Sequence, residues 1–392
     1  MLTLALQLVL LLTAKIAQID ADAWSLSDTC PAGFAVTAEG TCELQTLYAR
    51  YGSLRDSGVG GLKTGLPNLR TGFTAREIDL GRLLFFDPAL SSDGSVSCAS
   101  CHVPELGFSD GLAMSVGVSG KPLPRSAPSL WNTGFLRTLY WDGRASSLEE
   151  QMLGPLYAAD EMGTTPERLL ERLNGIPAYR KLFRDARPDQ AERPIRLDEI
   201  YRAITAFEAS LVSLNSRYDL YAHGIHEALT QPEIEGMNVF RSFVARCAEC
   251  HTPPLFTNQQ IAVIGTPEPE GMPRDVGAAG PTGDETQRGG FRVPSLRNIA
   301  KTAPYMHSGR YGTLREAVAF YTGGRGHAVP PGEDLKLHWH IWEPQLTDEE
   351  IDRVVDFLGA LTDEQFMPQT PDAVPSGLPV GGRQPQPMEN QP

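Results

Sequence analysis

Apolar residues recur at helical spacing in several parts of the chain, and most of these runs begin with a helix-start signal. Three runs open with a capping box, in which a Thr is followed three positions later by Glu, at Thr74, Thr230 and Thr347. Further helices are predicted at 44–54, from Thr165, at 198–214 and at 314–320. No stretch shows a convincing strand alternation, so we expect an all-α fold.

The composition limits the class of partner. The chain has 392 residues, of which 41% are hydrophobic, enough for the cores of two or three domains. Its formal net charge is −14. Nucleic-acid binders use basic surfaces to neutralise phosphates, so this charge argues against a nucleic-acid partner. It fits a soluble protein that meets a neutral or basic partner.

The pattern C-x-x-C-H occurs twice, as Cys98, Cys101, His102 and as Cys247, Cys250, His251. This is the attachment signature of a c-type haem, in which two thiols bond to the porphyrin and the histidine coordinates iron. A zinc knuckle or a redox-active cysteine pair is the alternative, but a zinc site usually takes a second pair of ligands nearby. Because each motif carries its own histidine, we predict two covalently bound haem c groups.

The start of the chain indicates export. Residues 2–12 are almost wholly apolar, and an A-x-A cleavage pattern follows at 21–23, so residues 1–23 are interpreted as a signal peptide. The apolar run is too short to span a bilayer, and we expect no membrane span in the mature chain. Cys30 and Cys42 are expected to form a disulfide in an oxidising compartment, with two free thiols as the alternative. Together these features predict a bacterial periplasm.

A capped helix precedes each motif, and the two motif histidines lie 149 positions apart (251 − 102). We interpret this as the duplication of a cytochrome c-like unit. The prediction is two such all-α domains, at 24–215 and 216–365, each with one haem. A Pro- and Gly-rich tail at 366–392 is predicted to be disordered. The helix before the second motif is predicted to continue its apolar face to Phe243 and Val244.

The position opposite each motif histidine indicates the type of haem. An electron-transfer haem has both axial positions filled, whereas a catalytic haem has one open. No histidine follows His102 until His223, and Met114 lies in a predicted loop. We therefore predict an open position on the first haem, able to bind peroxide. For the second haem the residues alone leave four candidates: Met306, His307, Tyr321 and His327.

Several runs carry a family resemblance: the first haem motif, LGRLLFFDP at 80–88, WDGR at 141–144, GP at 154–155, EM at 161–162, FRVPSLRN at 291–298 and PYMH at 304–307. Together, over about residues 74–362, the chain resembles the bacterial di-haem cytochrome c peroxidase and MauG superfamily. The peroxidase branch has a methionine fourteen residues after the histidine that matches His307, and Tyr321 stands there in this chain. A loop histidine of that branch is also missing. Both departures resemble the MauG branch, where a tyrosinate ligates the second haem.

The resemblance implies roles for four more residues. Glu161 matches the distal carboxylate that moves the peroxide proton during O–O cleavage, and Gln151 and Pro155 match distal-pocket positions. Trp141 matches the tryptophan that relays electrons between the haems. Without the resemblance, Glu161 is more often a solvated helix charge and Trp141 a core residue.

The resemblance also implies a calcium ion between the haems. Thr302 and Pro304 match its backbone-carbonyl ligands, and Ser126 stands where the side-chain ligand is usually asparagine. Calcium accepts varied oxygen ligands, including water, so serine does not exclude it.

The function that the resemblance implies is peroxide-driven oxidation of a protein. Hydrogen peroxide would produce a bis-Fe(IV) state, which oxidises a residue, in our prediction a tryptophan, of a periplasmic partner by long-range electron transfer. The region 30–73 and the run 131–135 resemble the di-haem enzymes of methanobactin operons, which convert a partner's tryptophan to kynurenine. The alternatives are a conventional peroxidase that draws electrons from a small redox protein and a non-enzymatic electron carrier.

Overall fold

The computed structural model describes residues 21–50, 65–190, 193–339, 345–363 and 365–382. Helices dominate these ranges, which confirms the predicted helix-rich character. In chain order the α-helices are α1 (Ala75–Phe86), α2 (Cys98–Cys101), α3 (Leu148–Gln151), α4 (Leu153–Tyr157), α5 (Pro166–Gly175), α6 (Pro177–Ala186), α7 (Leu197–Ser210), α8 (Arg217–Ala222), α9 (Gln231–Arg241), α10 (Cys247–Cys250), α11 (Ala279–Thr282), α12 (Leu314–Phe320) and α13 (Asp348–Gly359).

The described ranges also contain short strands, which the sequence did not predict. Two antiparallel pairs form, β1 (Phe34–Val36) with β2 (Cys42–Leu44) and β3 (Ile261–Val263) with β4 (Gly290–Arg292). The expectation of no strands was wrong, because three residues are too few for an alternating pattern to show.

The N-terminal segment differs from its prediction in one respect. The disulfide between Cys30 and Cys42 is present, as expected. The predicted helix at 44–54 is not: β2 ends at Leu44, and a short 3-10 helix covers Leu47–Arg50. Residues 51–54 and the first twenty residues of the predicted signal peptide lie outside the described ranges. Within those ranges, no helix has the length and apolarity needed to cross a membrane.

Two pairs of crossed helices organise the fold. α1 packs against α7, and α9 packs against α13. A Cβ atom on Gly81 of α1 would lie 1.8 Å from the Ala203 carbonyl oxygen, and a Cβ on Gly236 of α9 would lie 1.8 Å from the Arg353 carbonyl oxygen. No side chain fits at such distances, so each crossing requires glycine. The same helix crossing therefore occurs twice along the chain.

The apolar cores repeat the same arrangement. One core contains buried residues between positions 80 and 204, and another contains residues between 218 and 361. Beside the first crossing, the ring centroids of Phe85 and Phe207 lie 5.0 Å apart, and beside the second those of Phe240 and Phe357 lie 5.3 Å apart. Tilted aromatic pairs at this spacing add to the energy of burial.

The capping boxes at Thr74, Thr230 and Thr347 are confirmed, but α9 ends earlier than predicted. The chain leaves the helix at Ser242 in an extended conformation. Phe243 and Val244 are therefore 89% and 55% exposed, and the prediction that they extend the apolar face was wrong.

The tail is ordered as far as residue 382, so the prediction of disorder was wrong for this part. Val374 is buried in the core beside Phe86. The Ser376 hydroxyl donates a hydrogen bond of 2.6 Å to the Asp87 carboxylate, and the Gly381 amide donates one of 2.9 Å to the Phe86 carbonyl. A few specific contacts hold a segment whose average composition is typical of disorder. Residues 383–392 lie outside the described ranges.

Candidate functional site

Each of the two C-x-x-C-H motifs forms a single helical turn, α2 and α10. A helical turn places cysteines three positions apart on one face. The four motif cysteines are unpaired, in contrast to Cys30 and Cys42. Each motif therefore presents two thiols on one face, as attachment to a single flat group requires.

The motif histidines are oriented in the same way. The Nδ1 atom of His102 lies 2.9 Å from the Phe108 carbonyl oxygen. The Nδ1 atom of His251 lies 3.1 Å from the Phe256 carbonyl and 3.2 Å from that of Pro294. A proton on Nδ1 leaves the Nε2 lone pair available to a metal. Burial lowers the pKa of both rings, that of His251 to about 4, so both are neutral, as ligation requires.

The residues predicted beside the first haem lie close to the first motif. Gln151 and Pro155 lie four positions apart on α3 and α4, and the amide after Glu161 donates a 3.0 Å hydrogen bond to the Pro155 carbonyl. Burial, reinforced by the charge of Asp160, raises the pKa of Glu161. The charge of Glu161 also contributes to the raised pKa of the Cys101 thiol, after burial and Asp110. The predicted distal carboxylate thus lies near the attachment cysteine.

The second motif opens into a large, mostly apolar cleft of about 1930 Å³ with its open mouth included. Cys247, Cys250 and His251 line this cleft, and so does Tyr321. Burial raises the pKa of Tyr321, and the charges of the two motif cysteines raise it further. No residue in the described ranges hydrogen-bonds to the Tyr321 hydroxyl. Tyr321 and His251 therefore line the same cleft.

The other three candidates for the second axial position have different surroundings. The His307 Nε2 atom lies 3.0 Å from the Glu268 carboxylate, and its ring stacks on Phe291. The Nδ1 atom of His327 bonds to the Gly324 carbonyl, away from the cleft lining. Met306 lines the cleft, and the hydrogen bond from Ser126 to its backbone carbonyl does not involve the thioether sulfur. Among the four candidates, Tyr321 is distinguished by the influence of both motif cysteines on its pKa, which places its ring close to them.

A buried cation provides a test of whether haem fits this cleft. Arg292 lines the cleft and is 6% exposed, its Nη1 atom has no hydrogen-bond partner, and the described residues offer it no carboxylate. Burial lowers its pKa to about 10. By contrast, the buried Arg297 makes hydrogen bonds of 2.6 and 2.7 Å to both carboxylate oxygens of Asp219. A buried unpaired charge is costly, so Arg292 suits a group that carries carboxylates, as haem does through its propionates. Thiols, imidazole, apolar walls and this cation all fit haem c.

The tryptophan predicted between the haems lies at the wall of the same cleft. The indole nitrogen of Trp141 donates a 2.9 Å hydrogen bond to the Ser126 carbonyl, and its ring centroid lies 6.5 Å from that of His307. The predicted calcium positions Ser126, Thr302 and Pro304 also line the cleft. The described residues contain no cluster of three or more His, Cys, Asp or Glu side chains suited to a metal. Calcium there would depend on carbonyls, a hydroxyl and water.

A second internal repeat was missed at the sequence level. PSLWN at 128–132 matches PSLRN at 294–298, an offset of 166 positions. With this offset Ser126 corresponds to Arg292, and the residues after them pair in the same way. The structure follows the pairing. The Ser129 and Ser295 hydroxyls each bond to a backbone carbonyl, that of Gly107 at 2.7 Å and that of Leu255 at 2.6 Å.

The repeat continues beyond these runs. It includes two residues with left-handed backbone conformation, and it pairs α3 and α4 with α12. Tyr140 and Met306, 166 apart, have φ angles of +67° and +71°. Ser147 and Thr313 begin the corresponding helices. With the same offset, Pro155 corresponds to Tyr321, and Trp141 corresponds to His307. Alignment of the P-S-L-x-N runs was the signal that would have paired the two distal positions.

Comparison with known proteins also indicates a di-haem protein. The family model for di-haem cytochrome c peroxidase matches residues 75–227. The chain is 36% identical over 301 residues to the methylamine utilization protein MauG of Methylorubrum extorquens, covering 76% of this chain and 82% of that protein. It is 34% identical over 288 residues to cytochrome c551 peroxidase of Nitrosomonas europaea, covering 73% and 80%. A solved MauG-like protein associated with microbial copper homeostasis matches with a TM-score of 0.71 and 34% identity, over 77% of this chain and 95% of that one.

The fold and both sites therefore define a haem-binding oxidoreductase. The chain belongs to the family of di-haem cytochrome c peroxidases and MauG proteins.

Proposed function

We propose that this protein is a periplasmic MauG-like enzyme that uses hydrogen peroxide to store oxidising equivalents and then oxidises a tryptophan of a partner protein. The observation that carries the proposal is the correspondence between Pro155 and Tyr321. Proline has no side-chain donor atom for iron, whereas tyrosine offers a phenolate. One repeat therefore favours an open site for peroxide, and the other favours a filled one.

At the first site the residues of the chain would bind peroxide and move its proton. Haem, when bound, supplies the iron that exchanges electrons with peroxide. The half-buried Glu161 carries a carboxyl group with a raised pKa, suited to accept a proton from one peroxide oxygen and return it to the other. Gln151 and Pro155 would limit the space around it. The hydroxyl of Tyr140 donates a 2.5 Å hydrogen bond to the Gln151 carbonyl and fixes the end of α3.

At the second site the residues would hold charge rather than substrate. His251 and Tyr321 provide an imidazole nitrogen and a phenolate oxygen, and an anionic oxygen stabilises oxidised iron more than a thioether does. Trp141, on the cleft wall, would carry electrons between the sites. Because electrons rather than atoms leave the partner, its tryptophan need not enter the protein.

Several further assignments are parts of this proposal. The domain division at 215 and 216 is one of them, and two of the apolar cores fall on either side of it. Calcium would occupy the wall formed by Ser126, Thr302 and Pro304. The copper-linked solved neighbour is consistent with a place among the di-haem enzymes of methanobactin operons.

A conventional cytochrome c peroxidase is the second candidate, favoured by the 34% identity to cytochrome c551 peroxidases. One experiment separates the two functions. After one equivalent of peroxide, the holoprotein is expected to show a near-infrared band from charge shared between two haems, and to lose it when partner protein is added. Rapid turnover with a reduced small cytochrome, with no such band, would instead identify a conventional peroxidase.

A further inference from the structure

One wall of the second cleft is also the proximal wall of the first haem site. Pro128 and Ser129 line the cleft, while the Ser129 hydroxyl bonds to the Gly107 carbonyl at 2.7 Å. Gly107 precedes Phe108, whose carbonyl holds the His102 ring. The segment 126–131 therefore contacts both sites through a single layer of residues.

Trp131 ends this segment and contacts both sides. It is 3% exposed and lines the second cleft. Its ring lies edge-on to that of Phe108, with centroids 5.1 Å apart and planes at 85°. The path from the His102 imidazole to Trp131 therefore has one hydrogen bond to the Phe108 carbonyl, the covalent bonds from that carbonyl to the Phe108 ring, and one aromatic contact. Beyond Trp131 lies the space that Cys247 and His251 also line.

We propose that Trp131 is a second one-electron relay between the two haem sites, separate from Trp141. Trp141 bonds to Ser126 beside His307, whereas Trp131 lies against the residue that orients His102. Two tryptophans at different points of the wall provide two routes. Indole is among the side chains most readily oxidised by one electron, and phenylalanine at the same position is not.

The internal repeat argues against packing as a sufficient explanation. Arg297 corresponds to Trp131 and is held by Asp219 in a fully buried ion pair. This position in the fold therefore accepts a charged or an aromatic side chain, provided that its surroundings match. The indole is found in the repeat whose wall separates the two sites.

The electron balance needs hydrogen peroxide as oxidant. Reduction of peroxide to two waters takes up two electrons and two protons at the first site. Each electron that crosses by this route leaves Trp131 as a cation radical, and an electron from the second haem refills it. In the described residues no base accepts a hydrogen bond from the indole nitrogen, so electron transfer there involves no proton.

The test compares Trp131→Phe and Trp131→Tyr in the holoprotein. Both variants remove the indole, but tyrosine keeps a redox-active ring. After one equivalent of peroxide, stopped-flow spectra separate the reaction of the first haem with peroxide from the later oxidation of the second haem. The first rate reports on the proposed function and the second rate reports on the relay, so the failure of one is distinguished from the failure of the other. Haem content, expected at two per chain, and the thermal midpoint serve as controls.

We expect Trp131→Phe to slow the oxidation of the second haem by about tenfold, a barrier increase of roughly 1.4 kcal/mol, and Trp131→Tyr to restore part of the rate. The thermal midpoints of the two variants should be similar. A wild-type rate in the Phe variant would overturn the relay. Equal slowing in the Phe and Tyr variants would also overturn it, because packing alone would then explain the effect.

Discussion

The two haem sites of this protein share their attachment side and differ on the opposite side. In each, a helical turn presents two thiols, and a carbonyl five or six positions after the histidine accepts its Nδ1 proton. Opposite, one repeat has Pro155 where the other has Tyr321. The attachment motif thus sets where a haem is bound. The residues that we propose to determine its chemistry lie more than fifty positions further along the chain.

The comparison also extends to buried charge. In the second repeat, Arg292 lines the cleft with its Nε atom bonded to the Tyr140 carbonyl and its Nη1 atom unsatisfied, while Arg297 five positions later is paired with Asp219. Arg297 acts on the fold, since loss of one partner from a buried pair is strongly destabilising. Arg292 is available for the cofactor. Sequence alone does not distinguish the two arginines, since both stand in the same short run, FRVPSLRN at 291–298.

The largest effect should come from the carboxylate at the open site. Glu161→Gln removes the proton acceptor but keeps the shape, so O–O cleavage is expected to slow by about 10²–10⁴-fold. Stopped-flow spectra after one equivalent of peroxide measure it. In the wild type the rate should fall as the pH drops through the raised pKa of Glu161, because the base becomes protonated. A wild-type rate in the variant would show that another group moves the proton.

Next in size are the helix crossings, where the two repeats should respond alike. Gly81→Ala and Gly236→Ala each place a Cβ inside a facing carbonyl, and each should lower the free energy of unfolding by about 3 kcal/mol. Chemical denaturation measures this. The matched control is Gly359→Ala in α13, where no atom lies within 4 Å of the added Cβ. In that variant the free energy of unfolding should rise by about 0.5–1 kcal/mol. Equal responses of all three would contradict the crossing geometry.

The third prediction alters the filled site. Tyr321→Met replaces an anionic oxygen with a thioether, so the potential of the second haem should rise while peroxide still reacts at the first. The near-infrared band after peroxide should be lost, and conventional peroxidase turnover should persist. Spectroelectrochemical titration measures the potential. An unchanged potential would show that Tyr321 is not the ligand, and His307, which also lines the cleft, would be tested in the same way.

The smallest effect concerns the turn before the second motif. Phe243→Ser should change the free energy of unfolding by less than about 0.5 kcal/mol, because the side chain is 89% exposed. Phe240→Ser, three positions earlier in the core, is the contrast and should be strongly destabilising. Thermal unfolding of both variants decides whether α9 ends where the structure shows.

Much of the architecture was readable because local signals determine it. Capping boxes located three helices, and the cysteine spacing located both sites and left Cys30 and Cys42 to pair. The strands were missed because they are too short to show a period. The order in the tail was missed because it depends on Ser376 and Gly381 contacting α1, which composition does not reveal.

The distal residues were identified through family resemblance rather than through spacing. Residues alone left four candidates for the second haem. The cleft lining contains Met306, His307 and Tyr321 but not His327, and the His307 Nε2 atom is bonded to Glu268. The 166-position repeat would have paired Pro155 with Tyr321 without a structure. The partner protein and the domain boundaries at 215 and 365 stay predictions.

Electron paramagnetic resonance of the resting ferric protein tests the difference between the sites most directly. An open position opposite His102 predicts one high-spin haem, and Tyr321 opposite His251 predicts one low-spin haem, in equal amounts. Two low-spin signals would contradict the account, because the first site would then hold a ligand that Pro155 cannot supply. Two high-spin signals would equally contradict it, because Tyr321 would then leave the second iron open.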